Sequence, residues 1–333
     1  MTCRKSFSSQ TFRFDFGQRK PWLNIPIAQA LCSKVTLRKT AELLLTTRRS
    51  VERRLLRLGA HCRAFHFVQL ERFHAGGGRL TGAMTLDELE TFETDRLLQP
   101  VTVPILTEKH SWFVVDLRAA PLPARGRLRR RDQARKEGRE RIHGKRCSGS
   151  SAAVRACLQT WRRYGPAVGS YVELHTDQKT AYRGLYSEVF SGRIRGMARV
   201  SAREKRDRKN ALFVANVTNA MVRDGVSRLV RETWAHSKRR GRLQRHLWVW
   251  AVFRNYVRGL TRRLWNRSSA MLLGIAGRKY RWADVLRWRS PFLSFLPTHS
   301  KEPVLGHSDA PMPVALLRPK LATLRASTRP MPR

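Results

Sequence analysis

The chain has 333 residues, 41% of them hydrophobic, and 67 lysines and arginines against 24 acidic residues give a formal net charge of +43. That apolar content excludes a disordered polyelectrolyte, and the length allows a large core divided over two or three domains. Self-repulsion on this scale calls for a polyanionic partner, which makes nucleic acid the expected one.

No stretch is apolar enough to span a bilayer, and the N-terminus has no charged-then-apolar leader, so a cytoplasmic, nucleoid-associated location is expected with no membrane partner. The five cysteines (Cys3, Cys32, Cys62, Cys147, Cys157) are scattered, form no C-x-x-C pair and read as reduced thiols. His61, Cys62 and His66 lack a fourth ligand, so zinc is not expected there.

Residues 1–30 show no period. In "VTLRKTAELLLTTRRSVERRLLRLG" (35–59), Thr36 can cap a short helix with Leu37, Ala41 and Leu44 on one face. Thr46 or Thr47 can cap a second, with Val51, Leu55 and Leu58 at i, i+4 and i+7, and Gly59 is expected to end it. Two short helices joined by a tight turn fit a helix-turn-helix over 31–75. Its second helix would offer Arg48, Arg49, Ser50, Arg53 and Arg54 to DNA. A generic basic helical hairpin is the other reading.

"HAGGGRLTG" (74–82) marks a flexible boundary. Strands are expected in "MTLDELETFE", "VTVPILTE" and "SWFVVDLRA". "RGRLRRRDQARKEGRERIHGKR" (125–146) is a basic loop or exposed helix suited to tracking phosphates. "AAVRACLQTW" reads as a helix, "YVELHTD" (171–177) as a strand ending at Asp177, and "TAYRGL" as a helix start. Val222, Val226, Leu229 and Thr233 predict one continuous helix over 216–234, and the aromatics of "LQRHLWVWAVFRNYV" (243–257) predict a core helix. The last 43 residues hold eight of the fifteen prolines and read as a disordered, Pro-rich basic tail over 291–333.

Carboxylates are scarce, yet Asp87, Glu88, Glu90, Glu93 and Asp95 fall within nine positions. Such a cluster in a nucleic-acid-binding chain can hold a divalent metal, or it can be an edge strand or an ion-pair partner for arginines; the cluster alone leaves these open. Asp177 adds weight to the first, because side chains at strand ends of open α/β folds project into a crevice. Two such aspartates can bridge a pair of Mg²⁺ ions for phosphoryl transfer.

"LDELETFE", "HTDQKTAYRGL" and "NVTNAMVRDGVSRLVRETWAHSKRRGRL", in this order, resemble the DDE-type transposases of small bacterial insertion sequences, as do "CRKSFSSQTFR", "LRKTAELLLTTRRSVERRLLRLG", "NYVR" and "LLRWRS". The resemblance covers about residues 3–290. It implies an α/β protein: an incomplete zinc-ribbon-like N-terminus (1–30), the helix-turn-helix region, and an RNase H-like catalytic domain, a mixed sheet flanked by helices, over 80–290 with the basic segment 118–146. The first Cys pair of a ribbon is missing and Ser6 stands where another Cys is expected, so zinc is not implied.

The resemblance implies Mg²⁺ or Mn²⁺ held by Asp87 and Asp177 as the first two acids. In such transposases the third acid lies seven residues before the arginine of an N…R motif. Counted from Arg223, that position is Asn216 rather than Asn219, an amide able to ligate a metal without charge. Asn216 can instead cap its helix, or Glu204 or Glu232 can serve as the acid. Arg223, Arg228, Arg231, Lys238, Arg239 and Arg240 read as phosphate contacts, or singly as a solvated helix face. The implied function is insertion-element transposition: binding of double-stranded element ends, strand cleavage, and attack of the freed 3′-hydroxyl on target DNA by a homo-oligomer. The rivals are a decayed transposase that only binds DNA, and a basic RNA-binding protein.

Overall fold

A computed structural model of the chain describes residues 9–201, 203–230 and 234–289. The readings made for residues 1–8, Arg231, Glu232, Thr233 and the tail 291–333 lie outside the described residues. In chain order the helices are α1 (Asn24–Leu31), α2 (Leu37–Leu43), α3 (Arg48–Ala75), α4 (Arg130–His143), α5 (Ser150–Tyr164), α6 (Thr180–Val189), α7 (Phe213–Gly225), α8 (Arg240–Val252), α9 (Ser269–Leu272) and α10 (Trp282–Arg287). The strands are β1 (Ala83–Phe92), β2 (Pro100–Glu108), β3 (Val114–Leu117), β4 (Ala120–Pro121), β5 (Val172–Asp177) and β6 (Arg195–Val200).

The strands form one mixed sheet in the order β3-β2-β1-β5-β6, with β4 paired to β2. β2 is antiparallel to both β1 and β3, whereas β5 runs parallel to β1 and β6 parallel to β5. β2 is buried at every position, as its Val/Ile-rich sequence requires of an interior strand. Helices cover the sheet: α5 presents Val154, Leu158 and Trp161 at i, i+4 and i+7 to the core, and α7 lies across β1 and β2. This is a mixed α/β architecture compatible with the RNase H-like domain that the resemblance implied.

Thr36 and Thr47 cap α2 and α3, accepting from the amides of Lys39 at 3.2 Å and Ser50 at 3.1 Å. α3 does not stop at Gly59; it runs on for 28 residues in all. A Cβ on Gly59 would lie 2.5 Å from the Arg245 Cβ and carbonyl oxygen, so this glycine lets α3 and α8 cross closely instead of ending a helix. Val51, Leu55 and Leu58 of α3 share one apolar core with Leu86 and Val103 of the sheet and Leu247 of α8.

The helix expected over 216–234 is also shorter. α7 ends at Gly225 and a 3₁₀ turn follows at Ser227–Leu229. At Gly225 the Trp250 indole and the Cys32 carbonyl leave no room for a side chain, and Lys34 N–H donates to the Gly225 carbonyl at 2.8 Å. Packing from two distant segments terminates the helix there. α8 continues into a π-helical turn, Phe253–Val257, whose Asn255 pairs with the backbone of Val114 in both directions, at 2.8 and 2.9 Å. Its amide thus satisfies both backbone groups of Val114 at the start of edge strand β3. Among the described residues no helix is long and apolar enough to cross a membrane.

Candidate functional site

The parallel register of β1 on β5 pairs Ala83 with Glu173, Met84 with Leu174 and Thr85 with His175. The pairing ends there; carried two residues further, the same register would oppose Asp87 to Asp177 on one face of the sheet, and the charge of Asp177 acts on the Asp87 carboxyl. Asp177 ends β5, and its Oδ1 accepts from the Lys179 amide at 3.0 Å as the chain turns into α6. Asp87 Oδ1 accepts from the Glu88 amide at 2.8 Å. Over this pair lies α7, and the Asn219 amide donates from Nδ2 to Asp87 Oδ2 at 2.6 Å.

Burial raises the Asp87 carboxyl above its ordinary range. The Glu88 amide lowers it again, the charges of Asp177 and Glu88 raise it further, and Arg206 lowers it. Asn219 Oδ1 is buried and has no hydrogen-bond partner. A buried acceptor left unpaired beside a carboxylate pair is costly, and a cation or a water would satisfy it. Asp87, Asp177 and the Asn219 oxygen are hard oxygen donors, and as a set they fit Mg²⁺ or Mn²⁺. They hold only two carboxylates. Among the described residues no group of three or more His, Cys, Asp or Glu side chains is placed to hold a metal.

The structure brings Asn219 into contact with Asp87; among the described residues no side-chain hydrogen bond ties Asn216 to either carboxylate. The two share a helix face, and the position of α7 along β1 selects between them, a matter the helical period does not encode. Asn216 is not a cap either, since α7 starts three residues before it and its N–H donates to the Leu212 carbonyl within the first turn. Glu204 lies exposed in the loop after β6, its Oε1 accepting from the Ser201 amide at 2.8 Å.

The other four acids of the β1 cluster are engaged elsewhere. Glu88 faces the opposite side of the sheet, where it accepts from Thr102 at 2.5 Å and from Ser150 and Tyr182 at 2.9 Å, and pairs with Lys179. Burial pushes its carboxyl up, but Lys179, Thr102 and Tyr182 outweigh that and hold it below the usual range. Glu90 pairs with Arg125, Glu93 with Arg146 at 2.8 Å and Arg240 at 3.5 Å, and Asp95 with Arg135 at 2.5 Å. For these residues the ion-pair reading holds.

The expected phosphate contacts divide in the same way. Arg48, Arg49 and Arg53 stand exposed on the opening turns of α3, and half-buried Ser50 is tied to Thr47. Arg54 turns inward, donating to Asn24 Oδ1 at 3.1 Å and to the Lys20 carbonyl at 2.7 Å. Arg228 is only 8% exposed, and burial lowers its pKa to about 10. It is a core-facing residue, not a surface contact. Arg223 donates to the Glu90 carbonyl at 3.3 Å, and Arg240 faces Glu93. Lys238 and Arg239 are exposed, Lys238 lying 2.7 Å from the His236 ring nitrogen.

Within the segment 125–146, residues Arg130–His143 form α4, a helix with no buried residue. Sequence reasoning considered the loop between β6 and α7 only for Glu204 and did not offer its Arg203, Lys205, Arg206, Arg208 and Lys209 as contacts. Its signal was available: five basic residues in seven positions, at the turn after the strand beside β5.

No family model matches the chain, and neither does a curated protein. Chains in crystal structures of the Mos1 strand transfer complex and of a pre-cleavage Mos1 transpososome are similar to it at 11% and 12% identity. Each alignment covers 68% of this chain, and 76% and 75% of theirs, with TM-scores of 0.24 and 0.21. Similarity at that level carries no argument.

Proposed function

We propose that the protein is a DDE-type transposase of an insertion element, which binds double-stranded element ends and cuts and joins DNA strands as a homo-oligomer. The observation that carries this reading is the meeting of Asp87 and Asp177 on neighbouring parallel strands, beneath the Asn219 amide, in a chain of net charge +43. Mg²⁺ or Mn²⁺ bound by Asp87, Asp177 and Asn219 would lower the pKa of an attacking hydroxyl and offset charge on the leaving oxygen.

The chain's own residues have separate tasks. Asp87 must give up its proton to bind a cation, and its position against Asp177 fixes where the reacting phosphate sits. Arg206, whose charge acts on Asp87, can neutralise that phosphate. Arg48, Arg49 and Arg53 of α3, with Lys238 and Arg239, hold the duplex by its backbone. In the first reaction water attacks the phosphorus, the bond to the 3′-oxygen breaks, and a 3′-hydroxyl and a 5′-phosphate result. In the second that hydroxyl attacks a target phosphodiester and displaces the target's 3′-oxygen, so one bond forms as one breaks.

Incubating the protein with DNA from either side of its gene tests the proposal. Free 3′-hydroxyl ends and joined products in Mg²⁺, absent in EDTA, are the expected result. Tight binding with neither product would favour the second reading, a DNA-binding protein of transposase ancestry. The neutral amide at the third position favours that alternative.

A further inference from the structure

Between the π-helical turn and α9 the chain makes a loop, 260–267, that neither the carboxylate site nor the α3 surface uses. Trp265 in this loop is 68% exposed, and Leu264 beside it 38%. The loop that carries the indole is closed by its own hydrogen bonds. Leu260 N–H donates to the carbonyls of Leu264 at 3.2 Å and Arg267 at 2.8 Å, and Leu264 N–H to the Thr261 hydroxyl at 3.1 Å. Lys279 Nζ donates to the Trp265 carbonyl at 2.7 Å and sits 5.1 Å from the ring centroid. Gly259 permits this folding back, since a Cβ there would lie 2.3 Å from the Trp265 carbonyl oxygen.

The same loop carries Arg262, Arg263 and Arg267, all exposed and within three residues of Trp265 in the chain. No carboxylate occurs anywhere from residue 233 to 283. The next one, Asp284, is taken by Arg278 at 3.0 Å and Arg281 at 3.8 Å. An isolated exposed tryptophan is ordinary. An exposed tryptophan on a hydrogen-bonded loop that also carries three exposed arginines, none ion-paired to a carboxylate among the described residues, is a different object. It offers a flat π-face and neighbouring phosphate ligands together.

We propose that this loop is a nucleotide-stacking site, in which Trp265 holds the face of an unpaired base while Arg262, Arg263 and Arg267 hold the flanking phosphates. Duplex DNA keeps its base faces covered by stacking, so the site selects unpaired nucleotides, such as a single-stranded overhang next to a duplex. An anionic lipid surface also accepts tryptophan and arginine. Nucleic acid is the better occupant because the exposed basic helix α4 and the basic opening of α3 already present phosphate-binding surface elsewhere on the same molecule. The proposal is independent of the carboxylate pair and of any metal.

The test uses the full-length protein in EDTA, where cleavage cannot occur. Binding is measured to a blunt duplex, to the same duplex with a short oligothymidine overhang, and to vesicles containing phosphatidylserine. Wild type should prefer the overhang. Trp265→Ala should weaken overhang binding about 5- to 150-fold while leaving the blunt duplex unaffected. Trp265→Phe, which keeps a ring to stack, should recover most of the loss. Equal affinity of wild type for both duplexes, or an equal loss of both in Trp265→Ala, would overturn the proposal. So would a Trp265-dependent interaction seen with the vesicles and not with DNA. Unchanged thermal unfolding of Trp265→Ala, expected for so exposed a side chain, separates lost stacking from lost folding.

Discussion

Asn219→Asp places a carboxylate where the amide nitrogen now sits 2.6 Å from Asp87 Oδ2. The hydrogen bond to a charged acceptor disappears, a loss of about 1.5–3 kcal/mol. Two like charges some 4 Å apart near a protein surface repel by about 4 kcal/mol at an effective dielectric constant of 20. Asp87 already lies above its ordinary range through burial, so protonation of one partner relieves part of this. A net cost of about 2–4 kcal/mol remains, which corresponds to a fall in unfolding temperature of roughly 5–10 °C. A divalent cation reverses the sign, because the variant then offers a third charged ligand. Thermal unfolding in EDTA and in Mg²⁺ measures both effects. Asn219→Asp should lose stability in EDTA and gain more from Mg²⁺ than wild type does. Asn216→Asp, one turn earlier, should change stability by about 0.5 kcal/mol or less in EDTA. If Asn216→Asp gave the larger loss, or Asn219→Asp none, the register of α7 over Asp87 would be wrong.

Mn²⁺ affinity should rise with pH until the buried Asp87 carboxyl, raised by its burial, is fully ionised. Titrations between acid and neutral pH read this, and Asp87→Asn should remove both the affinity and its slope. Stability should fall as pH drops below about 6.5, because burial holds the neutral imidazoles of His66 and His246 down to pKa values of about 4 and about 3. The unfolded chain takes up those protons first, so each histidine lowers stability by about 1.4 kcal/mol per pH unit on the way down. Denaturant midpoints from pH 7 to 4.5 check it, and a flat profile contradicts it. Gly59→Ala should cost about 1–3 kcal/mol by forcing α3 from α8, whereas Gly138→Ala in exposed α4, with nothing within 4 Å of its Cβ, should gain about 0.5–1 kcal/mol. Chemical denaturation of the two variants reads that contrast directly.

Local pattern carried much of the fold. β5 begins and ends within a residue of "YVELHTD" because its apolar residues alternate up to the aspartate that starts the next turn. The threonine caps of α2 and α3 were legible because capping is a contact between near neighbours. What was not legible depends on contacts between distant segments. Gly59 has the sequence signature of a helix end, yet Arg245 makes it a crossing point. Gly225 ends α7 because Trp250 and Cys32 press on it. Arg54 and Arg228 read as surface cations, but the α1 region claims the first and the core the second. Asp177 was legible as a candidate from its place at a strand end, whereas Asp87 was singled out from its acidic cluster only by the resemblance; the parallel pairing of β1 with β5 brings their strands together. The choice between Asn216 and Asn219 required the axial position of a helix on a sheet, which no spacing within that helix contains.

The central claim is that Asp87 and Asp177 act together on a DNA phosphodiester. Its most direct test is the rate of strand cleavage in Mg²⁺ at saturating DNA, comparing wild type with Asp87→Ala and Asp177→Ala. Each variant should lose activity by about 10³-fold or more while binding DNA as tightly as wild type in EDTA. Cleavage at the wild-type rate by either variant would contradict the account.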